Sequence, residues 1–167
     1  MPDSDKLSKI YHLEMHTPQA LQRKPAPAGF EAVRISPPEA DFNRRMYESV
    51  GAPWQWTDRL RWSSDAWERY VNRAALETWR GQLHGQTTGY FELERQDEGS
   101  VEIVYFGLLP EFVGQRLGGP FLTLAVEQAW SLAGTRRVWL HTCTEDHPSA
   151  LANYLSRGFQ AFAIEHA

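Results

Sequence analysis

Ile10 to His16 alternates, with Tyr11, Leu13 and Met15 on one side and His12 and Glu14 on the other. That period of two predicts a strand. Thr17 to Gly29 contains Pro18, Pro25 and Pro27 and reads as a linker over the surface. Phe30 to Ile35 predicts a second short strand. After Pro37-Pro38 the period changes: Phe42, Met46 and Val50 recur every four residues, the buried stripe of a helix that Gly51-Ala52-Pro53 ends. Ser63-Ser64-Asp65 offers capping oxygens for a second helix, with Trp67, Tyr70, Val71 and Ala74 along one face.

From Leu76 the period of two returns. Leu76–Leu83 and Thr87–Arg95 predict a hairpin around His84-Gly85, and Val101–Leu109 is apolar enough for a central strand. Gly118–Ala133 predicts a helix with Thr123, Glu127 and Ser131 on its polar face. Arg137–Thr142, His147–Arg157 and Phe159–Ile164 follow as strand, helix and strand. This order predicts an α/β or α+β fold, a sheet with helices on its faces. The 167 residues suit one domain, with 1–29 as strand and linker and 30–167 as core.

Composition narrows the function classes. Net charge is -4, so no basic face for nucleic acid is expected. No apolar run approaches the ~20 residues of a membrane span. The polar start, Met1 to Lys9, lacks a signal core, and Cys143 is the only cysteine, so a cytoplasmic protein without an intramolecular disulfide is expected. Four of the seven tryptophans, Trp54, Trp56, Trp62 and Trp67, crowd one short segment. Trp67 is expected in the core. Trp54 and Trp56 are either core or the wall of a ligand site.

The candidate chemistry lies between Leu108 and Leu122. A strand ends at Leu108-Leu109, a loop carries Val113-Gly114-Gln115-Arg116-Leu117, and a helix opens at Gly118-Gly119. Unpaired N–H groups and a partial positive charge at a helix N-terminus hold phosphate, and glycine lets the backbone approach it. A second element, His147-Pro-Ser-Ala150-Leu-Ala-Asn153-Tyr154-Leu-Ser-Arg-Gly158-Phe159, follows after one strand.

Pro110, Glu111, Phe112, Gly114 and Gly118 in the first element, with Ala150, Tyr154, Gly158 and Phe159 in the second, resemble the GNAT superfamily of acetyl-CoA-dependent N-acetyltransferases. Val101-Glu-Ile-Val-Tyr-Phe-Gly-Leu108 is similar to the central strand of its histone-acetylating members. The resemblance runs from about Leu76 to Phe159. It implies a mixed, mostly antiparallel sheet flanked by about four helices, and acetyl-CoA as co-substrate bound by residues 108, 109, 113–119, His147 and Asn153. It also implies an amine acceptor walled by Trp54, Trp56 and Asp58, and allows a homodimer. Val113 and Arg116 depart from the pattern, standing where Arg or Gln and glycine are usual. Only one strand fits after Phe159 where the family has two, so Ile10–His16 is expected to fill the gap in the sheet.

The same resemblance distributes roles. An ammonium of pKa ~10.4 must lose a proton before it attacks a thioester. Glu102 is the candidate base, with Glu92 as the alternative, directly or through a water. A structural reading of Glu102, paired with an arginine such as Arg80, stands beside it. A bulge at Gly107 would turn the Leu108 N–H toward the oxyanion, and Tyr154 would protonate the departing thiolate. A non-catalytic acyl-CoA binding domain is the alternative function. The His141, Cys143, Glu145, Asp146 and His147 cluster lacks a separated second ligand pair, so no metal is expected.

Overall fold

The computed structural model describes residues 8–166. Seven strands, β1 (Lys9–Met15), β2 (Phe30–Arg34), β3 (Leu76–Leu83), β4 (Gln86–Arg95), β5 (Ser100–Leu108), β6 (Arg137–Cys143) and β7 (Gln160–His166), form one sheet in the order β2-β3-β4-β5-β6-β1-β7. Four α-helices accompany it: α1 (Ala40–Gly51), α2 (Ser64–Val71), α3 (Gly118–Ser131) and α4 (Ala150–Ser156). The mixed, mostly antiparallel architecture matches the expectation.

β1 lies between β6 and β7, antiparallel to both, and buries Leu13 and Met15 in the main core. The first strand therefore fills the place left by the short C-terminal end. The linker after it is also held down. Leu21 is buried, the Gln22 N–H donates to the Arg157 carbonyl at 2.8 Å, and the Lys24 N–H donates to Thr123 Oγ1 at 3.0 Å. Gly158 has φ +107°, and a Cβ there would overlap the Ala20 carbonyl oxygen, so this position needs glycine twice over.

Under the linker, Thr123 is buried and bonds its own helix at Gly119 O. It is not on a solvent face, as its spacing with Glu127 and Ser131 suggested. Two helix boundaries also differ. α3 stops at Ser131 because Leu132 is extended, and α4 begins at Ala150 because residues 144–149 form turns.

The one parallel contact positions the site. β5 and β6 pair only over Ser100–Glu102 and Arg137–Trp139, and beyond Glu102 no further pairs join them. The far halves of the two strands are thus splayed. β5 also carries a bulge: Glu92 pairs with Tyr105 but Leu93 with Ile103, leaving Val104 as the extra residue. The bulge is not at Gly107, which pairs in register with Tyr90. Its effect is to reverse the side-chain alternation. Ile103 enters the core under α3, while Tyr105 faces the cluster of α1 and α2.

Candidate active site

Two cavities open from the splay. The first, about 570 Å³, is bounded by the β5 end, the loop before α3, and α4. Leu108, Val113, Gly114, Arg116, Leu117, Gly118 and Gly119 border it, with His147 and Asn153 opposite. Two residues expected here are elsewhere. Leu109 packs against the α1 cluster and its N–H is bonded to Thr88 O at 2.7 Å, while Gln115 bonds back to Glu111 O.

The loop geometry explains its composition. Gly114 and Arg116 both have left-handed backbone, φ +85° and +61°. Glycine adopts that conformation freely and arginine at a cost of order 1 kcal/mol. Arg116 thus occupies a glycine conformation. α3 opens without a side-chain cap, so the Gly118 and Gly119 amides are free toward the cavity. Asn153 Nδ2 donates to Gly118 O at 3.1 Å and fixes α4 to this end of α3. Lys24 and Arg157 join Arg116 along the wall, and Arg157 Nε is buried without a partner among the described residues. Free amides, three cations and an unpartnered guanidinium nitrogen suit a ligand bearing several phosphates. No local pattern marked Lys24 or Arg157. Both act here through contacts between the linker and the ends of α3 and α4.

Arg116→Gly should relieve the backbone and leave thermal stability equal or slightly higher. If the guanidinium holds phosphate, the same change should weaken coenzyme A binding several-fold by calorimetry.

The second cavity, about 310 Å³, lies on the other side of the splay. Trp54, Trp56 and Asp58 border it, together with Tyr105, His141 and Asp146. The two cavities share Trp54, Trp56, Phe106, Asp146 and Tyr154. Asp146 ties this junction together. It accepts from Trp56 Nε1 at 2.9 Å and from the Thr142 hydroxyl at 2.5 Å. Trp56 is held against Tyr105, ring centroids 4.8 Å apart, and Trp54 stands edge-on to His147 at 4.9 Å. Tyr154 is buried, and burial raises its pKa well above that of a free phenol.

The two candidate bases differ sharply in setting. Glu92 has no exposed surface, accepts from Arg59 Nη1 at 3.0 Å and from Asn43 Nδ2 at 2.9 Å, and borders neither cavity. Its carboxylate is committed to a buried ion pair. Glu102 sits at the foot of the splay, where Gln96 Nε2 donates to it at 2.9 Å and His141 Nδ1 stands 3.6 Å away. Its neighbours are Gln96 and His141, and Arg80 is not among its ion-pair partners. Burial pushes its pKa up to about 7, with the Glu94 charge adding and the Gln96 bond opposing. Glu102 borders neither cavity either.

A family model described as Acetyltransferase (GNAT) family matches residues 40–159. No curated protein matches the chain. Solved structures share its fold at low identity. A GCN5-related N-acetyltransferase from Kribbella flavida is 18% identical with a TM-score of 0.68, over 95% of this chain and 58% of that one. A spermidine N-acetyltransferase from Vibrio cholerae, solved with CoA and spermine, is 17% identical with a TM-score of 0.67, over 82% of this chain and 84% of that one. A tandem GNAT protein from the clavulanic acid biosynthesis pathway is 17% identical with a TM-score of 0.60, over 96% of this chain and 52% of that one. The chain thus spans little more than half the length of the first and third of these structures.

Proposed function

The chain belongs to the acetyltransferase (GNAT) family, and from that premise we propose that it transfers an acetyl group from acetyl-CoA to a primary amine of a small molecule or peptide. The observation that carries this reading is the meeting of two cavities at Tyr154, one suited to a phosphate-bearing donor and one acidic and aromatic. A thioester reaching along the first cavity toward Tyr154 would present its carbonyl to the second.

The chain's own groups suit the steps. The neutral amine attacks the carbonyl carbon, the C–N bond forms, and the C–S bond breaks with its electron pair leaving on sulfur. The Leu109 N–H is spent on Thr88 O, so the alternation of a strand turns the Leu108 N–H to the opposite edge, toward the splay. That supports Leu108 as donor to the oxyanion. Tyr154, protonated at ordinary pH, would supply the proton that the thiolate takes up. Its replacement proton comes from the nitrogen of the tetrahedral intermediate. Of the two candidate carboxylates, Glu102, with its pKa pushed up to about 7 and no buried ion pair to an arginine, is the one suited to support removal of the ammonium proton through a bridging group.

Trp54, Trp56 and Tyr105 offer aromatic faces, and Asp58, Glu145 and Asp146 offer negative charge along the same cavity. That lining favours a cationic, flexible amine. The Vibrio cholerae relative, solved with spermine, makes polyamines the first acceptors to try.

The test is release of free coenzyme A with a panel of polyamines, aminoglycosides and peptides bearing lysine or a free N-terminus. Turnover with at least one amine is expected. Tight acetyl-CoA binding without turnover on any of them would leave a binding domain instead.

A further inference from the structure

We propose that His141 is the residue that takes the proton from the acceptor amine, and that Glu102 is a positioning residue that acts through it. The inference rests on the acetyl-transfer reading and changes which atom touches the substrate. Of the two residues, only His141 borders the acceptor cavity. Its side chain is about half exposed, whereas that of Glu102 is 11% exposed and stands behind it with Oε2 3.6 Å from His141 Nδ1. A base must come within hydrogen-bond reach of the proton it removes. The imidazole can do so, and the carboxylate meets the amine only through it.

The placement follows from the sheet. Glu102 pairs with Trp139 across the last parallel rungs, and His141 lies two residues further along β6 on the same face, where β5 has already diverged. The splay that makes room for substrate thus leaves His141 at its lip and Glu102 at its root. The root is braced. Glu102 Oε1 accepts from Gln96 Nε2, and Gln96 Oε1 in turn accepts from Trp139 Nε1 at 2.9 Å. The carboxylate is therefore held in place with one oxygen turned to the imidazole.

An ionised Glu102 favours the tautomer with hydrogen on Nδ1, leaving the Nε2 lone pair for the amine. A protonated Glu102 would itself donate to Nδ1 and place the hydrogen on Nε2, where it cannot accept. The neutral imidazole is also favoured: burial lowers its pKa, as does His12 beside it, against Asp146, Asp58 and Glu165. Glu102 in turn faces Glu94, Glu92 and Arg59. The two shifts are opposite in sign, but loss of either proton, from the imidazolium or from the carboxyl group, favours the accepting imidazole. Activity should rise as pH passes through about 7, where Glu102 loses its proton.

In the proposed step the ammonium N–H bond breaks, His141 Nε2 takes the proton, and the nitrogen keeps the electron pair that then attacks the thioester. The imidazolium returns its proton to solvent. The balance is one amide, one thiol and one proton released per ammonium consumed.

His141→Gln tests this against a merely structural role. The acceptors are the alkylamine that the wild type turns over fastest and hydroxylamine, which is already neutral at pH 7. With the alkylamine, kcat/KM at pH 7 should fall about 100-fold, and the gap should narrow as pH rises toward the amine pKa of ~10.4. With hydroxylamine the loss should be less than about fivefold, and acetyl-CoA affinity should be unchanged. Glu102→Gln, which keeps the side chain's size and an oxygen for the Gln96 bond but removes the charge, should lower the rate less and remove the inflection near pH 7. A His141→Gln rate within about threefold of wild type, or equal losses with both acceptors, overturns the assignment while acetyl transfer stands. Wild-type protein that releases coenzyme A with no amine overturns the acetyl-transfer reading and this inference with it.

Discussion

Replacing Arg59 with alanine should cost about 3–5 kcal/mol of stability, read as a shift of the denaturation midpoint at unchanged slope. Arg59 is 5% exposed and pairs with Glu92, which is 0% exposed. Removing the guanidinium strands a carboxylate that cannot be hydrated, and one of its oxygens, Oε1, already lacks a partner among the described residues. The loss of packing adds to this. The guanidinium carbon lies 4.2 Å from the Tyr70 ring centroid, 4.5 Å from Tyr105 and 4.8 Å from Trp62, each contact worth of order 1 kcal/mol when desolvated. The double change Arg59→Met with Glu92→Gln should recover much of the loss, because no charge is then left unpaired. A single-variant loss below about 1 kcal/mol would mean that the pair contributes nothing net. Function should follow structure here. Arg59 pins the segment that carries Trp54, Trp56 and Asp58, so a folded Arg59 variant should show a raised acceptor KM and a smaller change for acetyl-CoA.

That prediction also marks what the sequence hides. Period and punctuation expose the strands, since Leu13 and Met15 or Phe42 and Met46 advertise their own buried faces. They also expose the loop before α3, because Gly114, Gly118 and Gly119 permit a backbone that few other residues do. Arg59 carries no such sign. Its partner is 33 positions away, and a charged residue in a loop ordinarily reads as solvated. Once the pair is seen, the tryptophan cluster divides: Trp62 and Trp67 build the box around Arg59, while Trp54 and Trp56 face the cavities. The bulge was obscure for a related reason. Ile103, Val104, Tyr105 and Phe106 are apolar on both faces, so no alternation exists whose break could mark Val104. His141 and Glu102 meet only because β5 and β6 pair at their starts, and no spacing along the chain encodes that contact.

Tyr154→Phe should lower kcat about 100-fold and leave the acetyl-CoA dissociation constant within about threefold of wild type, the size expected for loss of a positioned general acid. The substitution keeps the ring, so its contacts with Phe106 and Phe159, centroids 6.2 Å away in each case, persist. Only the hydroxyl is lost, from a residue that lines both cavities. Burial raises the phenol pKa, the Asp146 charge adding to the effect, with two consequences. The hydroxyl stays protonated throughout the working range, so Tyr154 should contribute no falling limb to the wild-type pH profile below about pH 9. It is also a weak acid toward a thiolate of pKa ~8.5, so its contribution grows with the basicity of the leaving sulfur. An acetyl thioester of a more acidic thiol that still binds the donor cavity should therefore lose less on Tyr154→Phe than acetyl-CoA does. If both donors suffer equally, the hydroxyl is positioning the substrate rather than assisting departure of the thiolate. If kcat is unchanged with acetyl-CoA, Tyr154 has no part in the chemistry, and protonation of the thiolate falls to solvent.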